Sequence, residues 1–491
     1  MSYPPRRLQR QDRLRPPRRR TVLVLRLAVG ALIVLSVPIA LECFARLITG
    51  VTGVADEFNQ IDEPETVTAY RLELRTPQGR PVTPEGPPGQ LAATYHPLVG
   101  YRLVPDRSTT YWSINSSGFR DDDEIAVEKP EGEIRIALLG GSLAFGQLSS
   151  GNDTTIAEQL EERLNDRVAR QRDTPEDFQP EQLPFFADRV SEVLALPPRV
   201  RPETYRVINA AVPGYASGNE LAWYVQHVAA YDPDIVVVLN GYADLILSGD
   251  RWGAEGVDIE RLTARSQMGL GRLAWQQVKA GLSNLTLVRG FDYYVLNPEP
   301  EPAWRSVLGL NQWMSSSTAA RDTSPRANTP TSDISSNDPS ANLPMNDSEQ
   351  QRRLNRYRNT VQQMAQLTSG MDSELLIVLQ PELSGRDPQV LSATEREIAL
   401  ELGNTYQTRM AELFGQLEEV AGEVAEGSDN TTALSLYEEM NQLDSEAFRS
   451  PDSLTDEGNA VVADRLFEEV TQLVVVFPRP FDPNSDRPEE P

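Results

Sequence analysis

Apolar, β-branched runs alternate with amphipathic helical patterns through the central part of the chain. The runs occur at residues 134–139, 205–208, 234–239 and 375–379, and each is apolar enough to be buried on both faces. Helical patterns lie between and after them, with apolar positions at Ile156, Leu160, Leu164 and Val168; Leu221, Val225, Val228 and Tyr231; Leu354, Tyr357, Val361, Met364 and Leu367; and within residues 456–470. Strands that alternate with helices predict βαβ units, and therefore an α/β three-layer sandwich with a mainly parallel sheet.

Residues 21–41 form an almost entirely apolar segment near the start of the chain. A helix needs roughly 20 residues to cross the ~30 Å hydrocarbon layer of a membrane, and this segment is long enough. Residues 1–20 contain eight arginines and one acidic residue, which predicts a cytoplasmic N-terminus and an extracytoplasmic main domain. A cleaved signal peptide is the alternative, but no small-x-small cleavage pattern follows, and Cys43 lacks the preceding small residue of a lipobox. We therefore predict one uncleaved transmembrane helix that acts as a signal anchor in a bacterial cytoplasmic membrane.

The composition after the anchor changes several times. Residues 53–93 are polar and proline-rich, which predicts a stalk between membrane and domain. One domain is expected over residues 95–475, with insertions at 170–200 and 315–350. The second insertion is almost entirely Ser, Thr, Asn, Asp, Pro and Ala, so we predict that it is disordered, as we do for the tail at 476–491.

The charge of the chain limits the classes of partner. The formal net charge is −26, and the basic residues are concentrated in the N-terminal tail, so the main domain is not expected to bind nucleic acid. Cys43 is the only cysteine, which excludes an intrachain disulfide. The glycines before Ser142 lack the lysine of a P-loop and the spacing of a dinucleotide fingerprint. We expect neither a cofactor nor a metal.

A glycine turn after the first apolar run is the main candidate for chemistry. The run at 134–139 is followed by Gly140, Gly141 and Ser142, and another helix pattern begins soon afterwards. Such a turn raises a serine hydroxyl above the carboxyl edge of a parallel sheet, which is how many hydrolases present a nucleophile. Ser142 is therefore the predicted nucleophile position.

Four separated blocks, taken in order, resemble those of the SGNH (GDSL-like) hydrolase superfamily, especially its membrane-anchored bacterial branch. The blocks are Gly140-Gly-Ser-Leu-Ala-Phe-Gly146, Asn209-Ala-Ala-Val-Pro-Gly-Tyr215, Asn240-Gly-Tyr-Ala-Asp244 and Ser450-Pro-Asp-Ser-Leu-Thr-Asp-Glu-Gly-Asn459. The resemblance covers about residues 95–470 without the insertions. It implies a flavodoxin-like sheet, an ester-hydrolase ancestry, Ser142 as nucleophile and the Gly214 N–H as an oxyanion donor.

The chain departs from the family pattern at three functional positions. Ala243 stands where the family has an oxyanion-binding asparagine, and its methyl group cannot donate a hydrogen bond. Ser453 stands where the family has its histidine base, and Ser450 stands where it has the aspartate that orients that base. A serine hydroxyl is no general base near neutral pH, so the resemblance combines a nucleophile with a degenerate catalytic apparatus.

Four other side chains are candidates for a replacement base. His227 on the second helix pattern and His96 in a proline-containing loop are interpreted mainly as structural residues. Asp244 either caps a turn or helix, which we favour, or lines the binding cleft. Asp452 is one residue from the histidine position, so it is the speculative substitute base.

These observations favour an impaired, membrane-anchored hydrolase-like protein, a pseudoenzyme that binds or assembles cell-envelope glycans or proteins. The expected partners are the membrane, through residues 21–41, an envelope glycan or acyl-ester ligand, and a protein of an assembly complex. The alternative is a divergent serine esterase or acetyl/acyl transferase that acts on envelope polysaccharide through Ser142.

Overall fold

A computed structural model describes residues 65–75, 89–246, 339–344 and 346–481. All of them belong to one compact unit of the chain. The predicted basic tail at 1–20 and the predicted anchor at 21–41 lie outside these ranges. Within the ranges, no helix combines the length and apolarity needed to cross a bilayer.

Strands and helices alternate along the described residues. The strands are β1 (Leu72–Arg75), β2 (Leu91–His96), β3 (Gly100–Leu103), β4 (Arg107–Ser108), β5 (Ser113–Ile114), β6 (Glu133–Gly140), β7 (Arg199–Val200), β8 (Thr204–Asn209), β9 (Ile235–Asn240), β10 (Glu374–Leu379), β11 (Thr431–Ser435), β12 (Phe448–Ser450), β13 (Ser453–Leu454) and β14 (Val475–Val476). The α-helices are α1 (Glu65–Tyr70), α2 (Ser142–Phe145), α3 (Ile156–Asp173), α4 (Ala187–Leu194), α5 (Ser217–Gln226), α6 (Tyr242–Ile246), α7 (Asp347–Gly370), α8 (Ala393–Glu426) and α9 (Asp456–Leu473). Short 3-10 helices occur at Pro175–Asp177, Val228–Tyr231, Pro339–Asn342, Leu383–Gly385 and Glu439–Gln442.

The main sheet has five parallel strands in the order β11-β10-β9-β6-β8. All residues of β9 are buried, as are those of β6 after its first, because helices cover both faces. From β6 the chain moves out to β8 at the edge and then returns to β9 on the other side of β6. This order is flavodoxin-like, and it opens a crevice at the carboxyl ends of β6 and β9. The prediction of a mainly parallel α/β sheet is therefore confirmed.

Two groups of helices flank the sheet. Helices α3 and α9 contact each other, and α5 and α8 both contact α7. Thr155 caps α3 through a hydrogen bond from the Glu158 N–H at 3.3 Å, at the residues where the sequence predicts the helix to begin. The 34-residue α8, which the apolar pattern did not identify, is interrupted at Gly403, where φ is +76°.

The predicted second helix is only partly correct: Val228 and Tyr231 are buried as predicted, but they lie in the 3-10 helix that follows α5. Helix α5 ends at Gln226, and Val225 is 50% exposed. The buried face instead carries Glu220 and Trp223, and the Asn240 side chain donates to the Glu220 carboxylate at 2.6 Å. Polar groups are buried here because they bond one another, which a search for apolar positions does not detect.

Three predicted peripheral segments need correction where the structure describes them. Residues 65–75 of the predicted stalk form α1 and β1, because their apolar side chains, including Tyr70, are buried against the domain. Residues 347–350 of the second insertion begin α7, and Asn346 caps that helix. At the start of the tail, the Arg479 N–H donates to the Glu181 carbonyl at 2.8 Å, so residues 476–481 are held against the first insertion. Residues 315–338 and 482–491 lie outside the described ranges.

Candidate functional site

Ser142 lies at the carboxyl end of β6, where the chain turns into the short helix α2. Gly140 packs so closely on β9 that a Cβ there would collide with the Leu239 carbonyl oxygen. Gly141 caps the helix, and Ser142 is its first residue and is partly exposed. The structure therefore places the Ser142 side chain at the crevice edge of the sheet, in the position that the sequence predicts for a nucleophile.

Gly214 lies beside this turn. The Val212 N–H donates to the Gly140 carbonyl at 3.0 Å, which joins the second sequence block to the first. Gly214 has a φ of +82° and is partly exposed, and the Tyr101 hydroxyl donates to the Pro213 carbonyl at 2.6 Å just before it. A Cβ at Gly214 would lie 2.6 Å from the Tyr101 Oη, so only glycine fits this conformation and this space.

Ala243 and Asp244 follow β9 on α6, at the same edge of the sheet. Ala243 is partly exposed, and it leaves the cleft without the side-chain donor that an asparagine would supply. Asp244 is 1% exposed, and its carboxylate accepts hydrogen bonds from the Ser217 Oγ at 2.6 Å and the Ser217 N–H at 3.1 Å. Asp244 therefore caps the start of α5, which agrees with the favoured interpretation, and its carboxylate is buried.

Two buried serines occupy the positions of the family's aspartate and histidine. Ser450 and Ser453 face each other across the β12–β13 hairpin, and both are 0% exposed. Strand β13 lies against α2, so the hairpin forms a wall of the Ser142 crevice. The Ser450 Oγ donates to the Asp452 carboxylate at 3.1 Å, and within the described part of the chain no group hydrogen-bonds the Ser453 Oγ. Neither hydroxyl is a base.

Asp452 occupies the turn of this hairpin and is 9% exposed. Burial raises the pKa of its carboxyl to about 6, although the hydrogen bond from Ser450 acts in the opposite direction. A carboxyl with a pKa near 6 can act as a general base near neutral pH. The Asp452 carboxylate, however, accepts its side-chain hydrogen bond from Ser450, not from Ser142.

Both histidines have structural partners. The His227 Nε2 lies 2.8 Å from the Ser117 carbonyl oxygen, and its ring stacks on Trp223 with centroids 4.4 Å apart. Burial lowers the pKa of His227. The His96 Nδ1 lies 3.4 Å from two backbone N–H groups of its own loop. These contacts agree with the structural interpretation of both residues.

Arg120 supports the Ser142 turn from behind, a role that the sequence did not reveal. It is 3% exposed, and its guanidinium donates to the carbonyls of Phe145 and Gly146 at 2.9 and 2.6 Å. These two residues end α2, so Arg120 fixes the far end of the helix that begins with Ser142. Arg120 ends the run Ile114-Asn-Ser-Ser-Gly-Phe-Arg120, and no neighbouring residue in the sequence distinguishes it from a surface arginine.

The described residues contain no group of three or more His, Cys, Asp or Glu side chains placed to hold a metal ion.

No protein-family model and no curated protein match the chain. Among solved structures, a two-domain esterase active on acetylated mannans is 13% identical with a TM-score of 0.30; the match covers 72% of this chain and 54%, about half, of that one. An acetyl xylan esterase variant from Geobacillus stearothermophilus is 11% identical with a TM-score of 0.32, over 70% of this chain and 96% of that one. A lipase/acylhydrolase from Enterococcus faecalis is 12% identical with a TM-score of 0.31, over 70% and 97%.

At these identities and TM-scores the similarities carry no argument about activity. The strand order and the meeting of the four sequence blocks around Ser142 are properties of this chain itself. The described domain thus has a flavodoxin-like α/β architecture, with the four blocks gathered at the carboxyl edge of its sheet.

Proposed function

We propose that the chain is a membrane-anchored, extracytoplasmic SGNH-hydrolase-like protein that has lost ordinary ester hydrolysis. It binds a cell-envelope glycan, or a protein that assembles one, through the inherited cleft. The observation that carries the proposal is the β12–β13 hairpin, in which Ser450 and Ser453 are fully buried at the positions of the orienting acid and the base. The apolar segment at 21–41 and the arginines before it support the location in a bacterial cytoplasmic membrane.

The expected loss of catalysis is large. Removing one oxyanion donor lowers kcat by about 10²- to 10³-fold, and Ala243 removes one. Without the base, the family's mechanism retains only the residual acceleration of about 10³- to 10⁴-fold over water that binding and backbone donors supply. Ser142, Gly214 and Ala243 remain partly exposed at the carboxyl edge of the sheet, so a ligand can reach them although the groups that would complete the family's reaction are replaced.

Hydrolysis of p-nitrophenyl acetate by the full-length chain in detergent tests the proposal. Ser142→Ala removes the nucleophile, and Ser191→Ala is the matched control, because Ser191 is exposed on α4. We expect the wild type and both variants to show the same background rate. Turnover that disappears in Ser142→Ala and persists in Ser191→Ala would refute the loss of catalysis.

One observation favours a second candidate, a divergent serine esterase or acetyl/acyl transferase that acts on envelope polysaccharide through Ser142. Burial brings the pKa of Asp452 to about 6, near the range that suits a general base, and Asp452 lies in the correct sequence block. This candidate predicts that a fluorophosphonate forms a covalent adduct on Ser142, and that Asp452→Asn slows its formation. If peptide mass spectrometry finds Ser142 unmodified after prolonged labelling of the wild type, the candidate fails.

A further inference from the structure

A second buried carboxyl lies next to the hairpin that forms the wall of the crevice. Glu382 follows β10 by three residues and is 0% exposed. Its carboxylate accepts hydrogen bonds from the Ser384 N–H at 2.8 Å and from the Tyr406 hydroxyl at 3.1 Å, and the Ser384 Oγ also donates to it. The following residue, Leu383, donates its N–H to the Pro451 carbonyl at 3.2 Å, which joins this loop directly to the hairpin turn.

Two buried tyrosines lie near these carboxyls, and Tyr406 donates its hydroxyl to Glu382. The hydroxyls of Tyr406 on α8 and Tyr242 on α6 hydrogen-bond each other, and Tyr242 lies close enough to both carboxyls for their charges to raise its pKa further above the value set by burial. Tyr242 immediately precedes Ala243, and Asp452 immediately precedes Ser453. The network therefore lies directly behind two of the replaced family positions.

The network contains two acids and no cation. Within the described ranges, no arginine, lysine or histidine donates a hydrogen bond to Glu382 or Asp452; the donors are hydroxyls and backbone N–H groups. Arg386, the nearest arginine along the chain, is used elsewhere: it donates to four backbone carbonyls and faces Glu395 at 3.6 Å. Two buried carboxylates without a counter-charge repel each other, so the second to ionise requires water to enter.

Other charged groups around the hairpin are directed to separate partners. Glu395 of α8 accepts the N–H groups of Ala447 and Phe448 at 2.9 and 3.0 Å, and Asp456 of α9 accepts the Ser150 N–H at 3.1 Å. Arg449 of β12 is partly exposed and acts electrostatically on Tyr70, and Tyr437 bonds Ser384 on the far side of Glu382. Helix α2, which packs on β13, presents Ser142 and carries no acid or base.

We propose that Glu382 and Asp452 form a pH-dependent latch, which seats the β12–β13 hairpin against the Ser142 helix while at least one carboxyl is protonated and releases it when both are ionised. Burial raises the pKa of Glu382 to about 7 and that of Asp452 to about 6, so Asp452 ionises first and Glu382 is the carboxyl that keeps its proton to higher pH. Release moves the residues at positions 450–453, which form a wall of the cleft. The latch regulates the same cleft and in that respect rests on the proposed function.

Hydrogen exchange of the full-length chain in detergent, without any ligand, tests the latch. The reporters are peptides that contain the Leu383 and Thr455 amides, which bond the Pro451 and Ala447 carbonyls. After correction for the intrinsic exchange rate, we expect their protection to fall at least tenfold between pH 5.5 and pH 8. A peptide that contains the Val212 amide, bonded to Gly140, reports on the sheet and should keep its protection.

Asp452→Asn removes one titrating group and keeps nearly the same side-chain shape. In this variant the protection of both reporter peptides should no longer depend on pH between pH 5.5 and pH 8. Asp444→Asn, an exposed change nearby, should leave the wild-type profile unchanged. The latch would be overturned if protection in the wild type did not change with pH, or if Asp452→Asn kept the wild-type pH dependence. An equal loss of protection in the Val212 peptide would also overturn it. These outcomes do not depend on esterase activity or ligand binding, so they leave the proposed function standing.

Discussion

Replacing Arg120 with methionine removes the group that holds the turn behind Ser142. The guanidinium is buried and lies over the rings of Tyr70 and Phe145, with its central carbon 5.3 and 4.9 Å from their centroids. Its hydrogen-bond acceptors are Phe145 O at 2.9 Å, Gly146 O at 2.6 Å, Tyr111 O at 2.9 Å, Gly151 O at 3.0 Å, Asn152 Oδ1 at 2.9 Å and Tyr70 Oη at 2.8 Å. Methionine keeps much of the apolar contact but donates to none of these atoms.

The magnitude follows from the acceptors that would lose their charged donor. A hydrogen bond from a charged donor is worth about 1.5–3 kcal/mol, and the carbonyls of Phe145 and Gly146 would each lose one. They would keep weaker neutral donors, the Asn209 amide at 3.4 Å and the Ser149 hydroxyl at 2.7 Å respectively. The loss of the two charged bonds, with part of the remaining bonds, gives about 4 kcal/mol of destabilisation. For a domain of this size that corresponds to a fall in Tm of roughly 8–16 °C.

Thermal unfolding of the full-length chain in detergent, followed by near-UV circular dichroism, measures this effect. Arg102→Met is the matched control, because Arg102 is exposed on β3, and surface changes of this kind usually stay within about 0.5 kcal/mol. If Arg120→Met melts within about 2 °C of Arg102→Met, the support that we assign to Arg120 is wrong.

Three further predictions concern stability. Burial raises the pKa of Glu382 to about 7 and that of Asp452 to about 6, above their unfolded values, so the folded state holds more protons. The free energy of unfolding should therefore fall as pH rises from about 4 to about 7, by about 1.4 kcal/mol per pH unit for each titrating group, and denaturant titrations of Asp452→Asn should show a smaller slope. Gly140→Ala drives a methyl group into the neighbouring β9 carbonyl and should destabilise the domain by more than about 2 kcal/mol, which thermal unfolding would show as a lower Tm. Gly370→Ala is the control, because a Cβ there meets open space, and it should not lower Tm. Equal Tm values for the two variants would contradict the prediction. Asp244→Ala removes the cap of α5 and should lower the free energy of unfolding by about 1–2 kcal/mol in denaturant titrations. The background rate of p-nitrophenyl acetate hydrolysis should stay unchanged; a change in that rate would place Asp244 in the cleft.

The central fold could be predicted because four of its strands are buried on both faces. Such strands read as continuous apolar runs, and the runs at 134–139, 205–208, 234–239 and 375–379 coincide with β6, β8, β9 and β10. Strand β11 was not predicted because it is mostly partly exposed and its sequence, Thr-Thr-Ala-Leu-Ser, is not an apolar run. The other edge strand, β8, keeps an apolar run and was predicted. Helix α8 had a usable signal, because its buried positions Ile398, Leu402, Tyr406, Met410 and Leu413 follow helical spacing.

The candidate site could be predicted only where one short block contains the whole signal. The Ser142 turn is such a block, because its strand, its glycines and its helix are contiguous. Arg120 and Glu382 gave no comparable signal, since their roles depend on partners that are distant in sequence: Phe145 for the first, Tyr406 for the second. Side chains that act through long-range contacts look like ordinary residues until the fold brings their partners together.

The preserved turn at Ser142 is weak evidence for catalysis, because the fold needs it for other reasons. Gly140 allows β6 to approach β9, and Arg120 connects the end of α2 to the N-terminal elements, so both residues stabilise the domain whatever Ser142 does. Ser450 and Ser453 are fully buried hydroxyls in the hairpin, at the positions where the resemblance implies an acid and a base, and they are what the proposed loss of catalysis rests on. A fold alone does not decide whether the chemistry of a site is kept. The decisive observation must therefore be made on the Ser142 oxygen itself, through acylation, phosphonylation or their absence.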